Sequence, residues 1–369
     1  MLHALLLAAL LGAAPGNPTL DTAALSAPAA PSAGPCAAPT VSEVRTWRIR
    51  QTVSLKDVPA GAGEVKLWAA LPTDGPWQRV LSRRVLSAPT GWSLEPQPRT
   101  GGEMIFARAS ADSQAPVEII VETIVRREAP RFDLAAKVSG TIQPELFIDE
   151  LRTDEPLMEV SDEVRALADT ACAGVRDPRR KVLLLLDAVA DAADHYSKDP
   201  SKPKCGRGAA EDCMSAGGGC CSDLHSLFIA CARSQRIPAR FQMGYRLKPE
   251  MAGQEYDPGY RCWAEVYLPG SGWVPTDLVV ADGAGPEERA KHYGALDAKR
   301  VWLWQGRGFE LAPKHAGGPI HTMLVGWAEI DGVPVEVLPG HDGTPSQLTR
   351  SITFEEITEA AGSLVAAGK

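Results

Sequence analysis

The 369-residue sequence lacks several features that would place it in a large class of proteins. Its N-terminal apolar run, Ala4–Ala14, and every later apolar run are too short to span a bilayer, so no stable membrane span is expected. No basic cluster stands out and the formal net charge is −8, which argues against a nucleic-acid partner. The eight cysteines include no C-x-x-C pair, so we expect no zinc or other metal site, and we expect no cofactor.

The N-terminus is typical of an export signal. Small residues follow the short apolar run, which predicts a signal peptide over 1–14, although no lysine or arginine precedes the run. Residues 15–42 are rich in Ala, Pro and Ser and predict a linker. If the signal functions, the protein is periplasmic or secreted; otherwise it is cytoplasmic.

The remaining sequence predicts an α+β fold. Short alternating runs between 44 and 127 indicate a β-sandwich, and Ser161 and Asp177 are placed to cap two helices. Residues 198–219 are interpreted as a loop, followed by an apolar helix and a hairpin. The predicted divisions are a signal peptide (1–14), a linker (15–42), a β-sandwich (43–127), a core (128–299), a β extension (300–340) and a tail able to form a terminal helix (341–369).

Cys221 is the candidate nucleophile. It follows the glycine run Gly217–Gly219 and lies at the predicted start of a helix, where unpaired N–H groups favour a thiolate. The glycines would let a substrate approach the backbone closely. From these local features alone, a cysteine that happens to follow a flexible loop is an equally good interpretation.

Two stretches resemble the core of the bacterial transglutaminase-like superfamily, which has a papain-like fold. They are "GCCSDLHSLFIACARSQRIPARFQMGYRL" and "GYRCWAEVYLPGSGWVPTD". The resemblance implies a cysteine that forms a thioester during acyl transfer or amide hydrolysis. It selects Cys221 over Cys220 through the C-x-D spacing to Asp223, and it extends more weakly over about 44–337.

The same resemblance shows a departure from the family pattern. The family has a His two residues before the Trp of "CWAE", and here that position is Arg261; Asp277 stands at the place of the family's Asp. Because arginine keeps its proton at ordinary pH, it cannot act as a general base, and loss of acid–base assistance costs ~10²–10⁴-fold in rate. Arg261 could stabilise a thiolate at Cys221 and could pair with Asp277.

The other histidines are weaker candidates for a base. His225 lies one helical turn after Cys221, where we expect it to pack or hydrogen-bond in the core. His292, His315 and His321 lie beyond the hairpin and are interpreted as surface or core residues.

Several further residues have provisional roles. Gly219, Cys220 and Trp263 are candidate substrate-binding residues, although core packing is the better interpretation of Trp263. Cys262 should point away from the face of Arg261, as a buried thiol or disulfide partner. Cys205 and Cys213 are the most plausible disulfide pair.

Three functions remain open at this point. The first is an active thiol amidase, protease or acyl transferase acting on a peptide or protein acyl donor through Cys221. The second is a catalytically impaired relative that binds a peptide or envelope component, which the Arg261 substitution favours. The third is a structural or redox-responsive disulfide protein. The oligomeric state is not predicted.

Overall fold

The computed structural model describes residues 38–110, 116–136, 140–204, 206–284, 286–323, 325–335 and 346–357. These residues all belong to one compact unit, Ala33–Lys369. The predicted signal peptide and most of the predicted linker lie outside the described residues. The first strand begins at Thr40, inside the segment interpreted as linker.

The described ranges contain strands and helices in the following order. The strands are β1 (Thr40–Leu55), β2 (Glu64–Leu71), β3 (Gln78–Ser87), β4 (Ser93–Gln97), β5 (Gly102–Ser110), β6 (Val117–Arg131), β7 (Asp194–His195), β8 (Gly218–Gly219), β9 (Ala239–Arg246), β10 (Arg261–Leu268), β11 (Gly272–Thr276), β12 (Arg300–Gln305), β13 (Gly326–Ile330), β14 (Val333–Pro334) and β15 (Leu348–Glu356). The helices are α1 (Asp162–Ala171), α2 (Pro178–Ala192), α3 (Ala210–Ala216), α4 (Cys221–Ser234), α5 (Leu278–Asp282) and α6 (Pro286–Arg289), with short 3-10 turns at Pro144–Leu146, Pro249–Met251 and Ala290–His292.

Two sheets form the sandwich. Their strand orders are β15-β1-β6-β3 and β14-β13-β2-β5-β4. Alternation along the strands turns apolar side chains of both sheets inward, where Val53, Leu67, Ile105 and Val121 share one buried cluster. The mixture of these sheets with a helical core confirms the α+β prediction.

The C-terminal strands are built into both parts of the molecule. β12 joins the core sheet, whereas β13 pairs with β2 and β15 pairs with β1 along nine residues. The segment interpreted as a β extension therefore contributes to two sheets, and the segment interpreted as a tail contains β15. The rest of the predicted terminal helix, 358–369, lies outside the described residues.

The helices follow their capping signals. The Ser161 hydroxyl accepts the N–H of Val164, and the Asp177 carboxylate accepts the N–H of Arg179. The prediction of a plain loop over 198–219 is wrong, because α3 and β8 lie within it. No helix in the described part of the chain is long and apolar enough to cross a membrane.

Helix α4 lies at the centre of the core. Every residue from Cys221 to Arg233 is buried. The helix packs against the sheet β11-β10-β9-β12. Cys262, Ala264 and Val266 of β10 lie in the same buried cluster as the side chains of the helix. This packing brings the start of α4 beside the start of β10, where the candidate site lies.

Candidate active site

The start of α4 is fixed by a carboxylate and by a close backbone approach. Cys220 is extended and precedes the helix, and its N–H donates to Asp223 Oδ2 at 2.8 Å. The Cys-x-Asp spacing is thus explained locally by helix capping, since a side-chain acceptor at the third helical position reaches back to the N-cap. A side chain at Gly219 would place its Cβ 2.7 Å from the same carboxylate oxygen.

The glycine run has a structural use that differs from the one expected. Gly218 and Gly219 form β8, which pairs in parallel with Asp194 and His195 of β7. A Cβ at Gly218 would lie 2.2 Å from the carbonyl oxygen of Asp194. The glycines therefore admit a neighbouring strand of the same chain, and this contact positions the cysteine turn.

The thiol of Cys221 is buried, and its surroundings raise its pKa. Cys220 lowers the pKa of Cys221, but the contact with Cys262 and burial raise it, and Arg261 lowers it by a smaller amount. The net pKa lies well above the ordinary thiol value, since Cys221 is only 5% exposed. The hydrogen bond with Cys262 and the loss of hydration thus oppose the thiolate that the helix N-terminus and Arg261 favour.

Arg261 and Asp277 do not form the expected ion pair. Arg261 begins β10, is exposed, and its Nη1 donates to the carbonyl of Tyr260 at 2.7 Å. Asp277 instead pairs with the buried guanidinium of Arg300, and its Oδ1 accepts the N–H of Val279 at the start of α5. Burial opposes ionisation of Asp277, but the charge of Arg300 and the backbone N–H groups of Val280 and Val279 favour the carboxylate, so the pKa of this carboxyl is lowered.

His225 lies near the cysteines and the aspartate, and both of its ring nitrogens are engaged. Nδ1 donates to the carbonyl of Cys221 at 2.6 Å, and Nε2 accepts the N–H of Leu278 at 3.0 Å. These bonds fix the neutral tautomer with its proton on Nδ1, which also lies 3.3 Å from the sulfur of Cys262. Burial lowers the pKa of His225, although Asp277, 3.8 Å away, raises it. His225 therefore ties α4 to α5, as its expected core role implies.

His195 is a further imidazole that the sequence analysis did not single out. It pairs with Gly219 across β7 and β8, and its Nδ1 accepts the N–H of Ser197 at 3.2 Å. The neutral ring therefore carries its proton on Nε2, which makes that atom a donor. Burial, and next the charge of Arg261, lower the pKa of His195. No local motif marks this residue, because its position depends on the β7–β8 pairing.

Cys262 also proves to be part of the site. Alternation along β10 does turn it away from the exposed face of Arg261, as expected, but the buried face is the one that contacts Cys221. This contact depends on the packing of α4 against that face of β10, which the sequence does not predict. Trp263 is buried and its ring lies against Gly244 of β9, a packing role. Cys213 is buried, and Cys205, its expected disulfide partner, lies outside the described residues, so this pairing stays a prediction.

Known proteins resemble this chain in sequence and in fold. The family model of the transglutaminase-like superfamily matches residues 165–278. An uncharacterized protein of Haemophilus influenzae is 26% identical over 329 residues, covering 80% of this chain and 88% of that protein. The crystal structure of a candidate cysteine protease from Cytophaga hutchinsonii aligns with a TM-score of 0.53 at 16% identity, covering 86% of this chain and 100% of that one.

The likeness in structure shows the fold, and the family match locates it in the chain. The matched segment runs from within α1 to the first residue of α5, so it holds Cys221, Arg261 and Asp277. Residues 165–278 thus match the core of the transglutaminase-like superfamily, within a chain that has an α+β, papain-like fold.

Proposed function

We propose that the cysteine site of this chain binds a peptide or an envelope component and performs acyl transfer inefficiently or not at all. The observation that carries the proposal is the lack of a usable base. In the described part of the chain no hydrogen bond joins an imidazole to the thiol of Cys221, and Arg261 stands at the start of β10 where the family resemblance implies a His. A nucleophilic mechanism needs a base within hydrogen-bond reach of the thiol.

The protonation state of Cys221 supports the same proposal. A thiol whose pKa is well above its ordinary value supplies little thiolate at neutral pH, and the thiolate is the nucleophile. Arg261 is exposed at the edge of the site and carries a positive charge that attracts acidic groups of a peptide. If the N-terminal signal functions, the partner is a component of the cell envelope.

Incorporation of a biotinylated amine into casein tests the catalytic part of the proposal. We expect the wild-type protein to match Cys221→Ala, because the thiol has no base. Arg261→His should raise incorporation above both, since it supplies an imidazole at the start of β10. Wild-type activity that Cys221→Ala abolishes would contradict the proposal.

Binding to an immobilised library of acidic and neutral peptides tests the other part. We expect acidic peptides to bind, Cys221→Ala to retain binding and Arg261→Ala to weaken it. Arg84→Ala is the matched control, because the Arg84 side chain is 69% exposed on β3, in the sandwich. Equal binding by Arg261→Ala and Arg84→Ala would show that Arg261 does not contribute to peptide binding.

The contact between Cys221 and Cys262 supports a second candidate function, a redox-responsive pair. Thiol–disulfide exchange with a small-molecule disulfide would join the two sulfurs and release two small thiols. Both cysteines are free in the structure. Mass spectrometry after incubation with oxidised glutathione should find a Cys221–Cys262 peptide. Mixed disulfides alone, or no modification, would exclude this candidate.

A further inference from the structure

A basic cavity lies on a part of the molecule that the proposed function does not use. It has a volume of about 130 Å³ and is lined by Arg99, Arg152, Arg307, His321 and Glu155, among others. Arg99 lies in the turn between β4 and β5, Arg152 precedes α1, and Arg307 and His321 follow β12. A water molecule needs only ~10–15 Å³ of such volume, so the cavity has room for a larger polar group.

The charges around this cavity are unbalanced. Arg307 is 5% exposed, and no Asp or Glu in the described ranges forms an ion pair with it. Arg99 is exposed and likewise has no ion pair among described residues. Arg152 pairs with the exposed Asp154, whereas the carboxylate of Glu155 is engaged by Arg233 at 2.5 Å. Two positive charges thus remain without a counterion, and one of them is buried, which is costly in the absence of an anion.

Some hydrogen-bond donors at the cavity already bond within the protein, and others are able to bond a ligand. The guanidinium of Arg307 donates to the carbonyls of Gly208, Arg207 and His321 and to the hydroxyls of Ser226 and Thr322. Its N–H groups are therefore engaged within the protein, and it contributes charge to the cavity from a fixed position. His321 Nδ1 is buried and has no hydrogen-bond partner among the described residues. The guanidinium groups of Arg99 and Arg152 lie closer to solvent and can reorient toward a ligand.

We propose that this cavity binds a small divalent oxyanion of the phosphate class. The guanidinium groups of Arg99 and Arg152 and the imidazole of His321 approach it from separate segments, which suits a tetrahedral anion that accepts hydrogen bonds on several sides, and Arg307 adds a fixed positive charge. The uncompensated charge of about two matches phosphate better than a monovalent carboxylate. The proposal does not depend on the function of the cysteine site.

The test is thermal unfolding of the full chain during titration with inorganic phosphate, with sodium chloride at equal ionic strength as the reference. We expect a saturable rise in Tm with phosphate beyond that with chloride, because a ligand that binds only the folded state stabilises it. The double variant Arg99→Gln/Arg152→Gln should bind phosphate at least tenfold more weakly. Arg84→Gln, an exposed arginine on the sandwich, should bind as the wild type does.

Two results would overturn the proposal. One is the absence of a phosphate effect beyond chloride, or equal affinity in the double variant and the wild type. The other is acetate binding as tightly as phosphate, since this would exclude a preference for a divalent oxyanion. If the double variant does not fold, the single variant Arg99→Gln, at an exposed position, serves for the same comparison.

Discussion

Around Cys221, the side chains of Asp277 and His225 are held by contacts that bring distant parts of the sequence together. Asp277 is bound by Arg300, and His225 is bound by the backbone of Cys221 and Leu278. A cysteine, a histidine and an aspartate do lie close together here, but in the described part of the chain His225 and Asp277 bond to other groups, and neither is hydrogen-bonded to the thiol of Cys221. These three residues therefore contribute to stability, whereas the same residues in a catalytic triad would transfer a proton.

Replacing His225 should therefore affect stability. His225→Ala leaves the N–H of Leu278 without its partner in a buried place, removes the side-chain bond to the carbonyl of Cys221, and creates a cavity. We expect a loss of ~2–4 kcal/mol in the free energy of unfolding, measured by urea denaturation. His292→Ala, at a partly exposed position, is the control and should change stability by less than ~0.5 kcal/mol. Similar losses in the two variants would contradict a structural role for His225.

Among the elements, those with strong local signals were predictable and those shaped by distant contacts were not. The apolar periodicity of α4 and the caps at Ser161 and Asp177 are local, and they correctly located the helices. Strand β3, "QRVLSRRVLS", has a weak sequence signal because most of its side chains are exposed or only partly buried, which removes the apolar alternation. β15 does alternate, with Leu348, Ile352 and Phe354 buried, so its pattern could have been recognised.

The site divides in the same way. Cys221 and its helix follow from motif and spacing. The pairing of Asp277 with Arg300 and the contact of Cys221 with Cys262 depend on how α4, α5 and β12 meet. Two expectations were drawn from single residues. The thiolate expected at the start of α4 is opposed by burial and by the contact with Cys262, and the ion pair expected between Arg261 and Asp277 is replaced by one with Arg300.

The β7–β8 contact gives a test at the level of elements. In Gly218→Ala the added Cβ would collide with the carbonyl of Asp194, so the two short strands must separate and the turn before Cys221 must move. We expect a loss of at least ~2 kcal/mol in unfolding free energy. Gly91→Ala is the control, because Gly91 also has a positive φ but has nothing within 4 Å of the added atom. Equal losses would show that backbone strain alone accounts for the effect.

For the whole molecule, buried titratable groups predict how stability depends on pH. Burial lowers the pKa of His195, His225 and His321 in the folded state, so the unfolded chain takes up protons first as pH falls below ~6.5. Their contribution is complete above that pH and is lost on acidification. Burial raises the pKa of Cys231 to about 12, and the pKa of Cys221 is also raised. Thiol contributions are therefore complete below ~8.5 and are lost as pH rises.

We thus expect the free energy of unfolding to be greatest between about pH 7 and 8.5 and to fall on both sides. Urea denaturation at a series of pH values measures it directly. Stability that stays constant or increases from pH 7 to pH 5 would show that the buried histidines are not held neutral in the folded protein.

Cys221 is a buried thiol with a raised pKa, and its alkylation rate reports on this state without the need for a substrate. The folded, unreduced protein is treated with iodoacetamide across pH, and each cysteine is followed by mass spectrometry, with the fully buried Cys231 as internal reference. We predict that near pH 6 Cys221 is labelled as slowly as Cys231, and that its rate rises only in alkaline solution. Rapid labelling of Cys221 near pH 6 would mean an accessible thiolate, and would contradict the account.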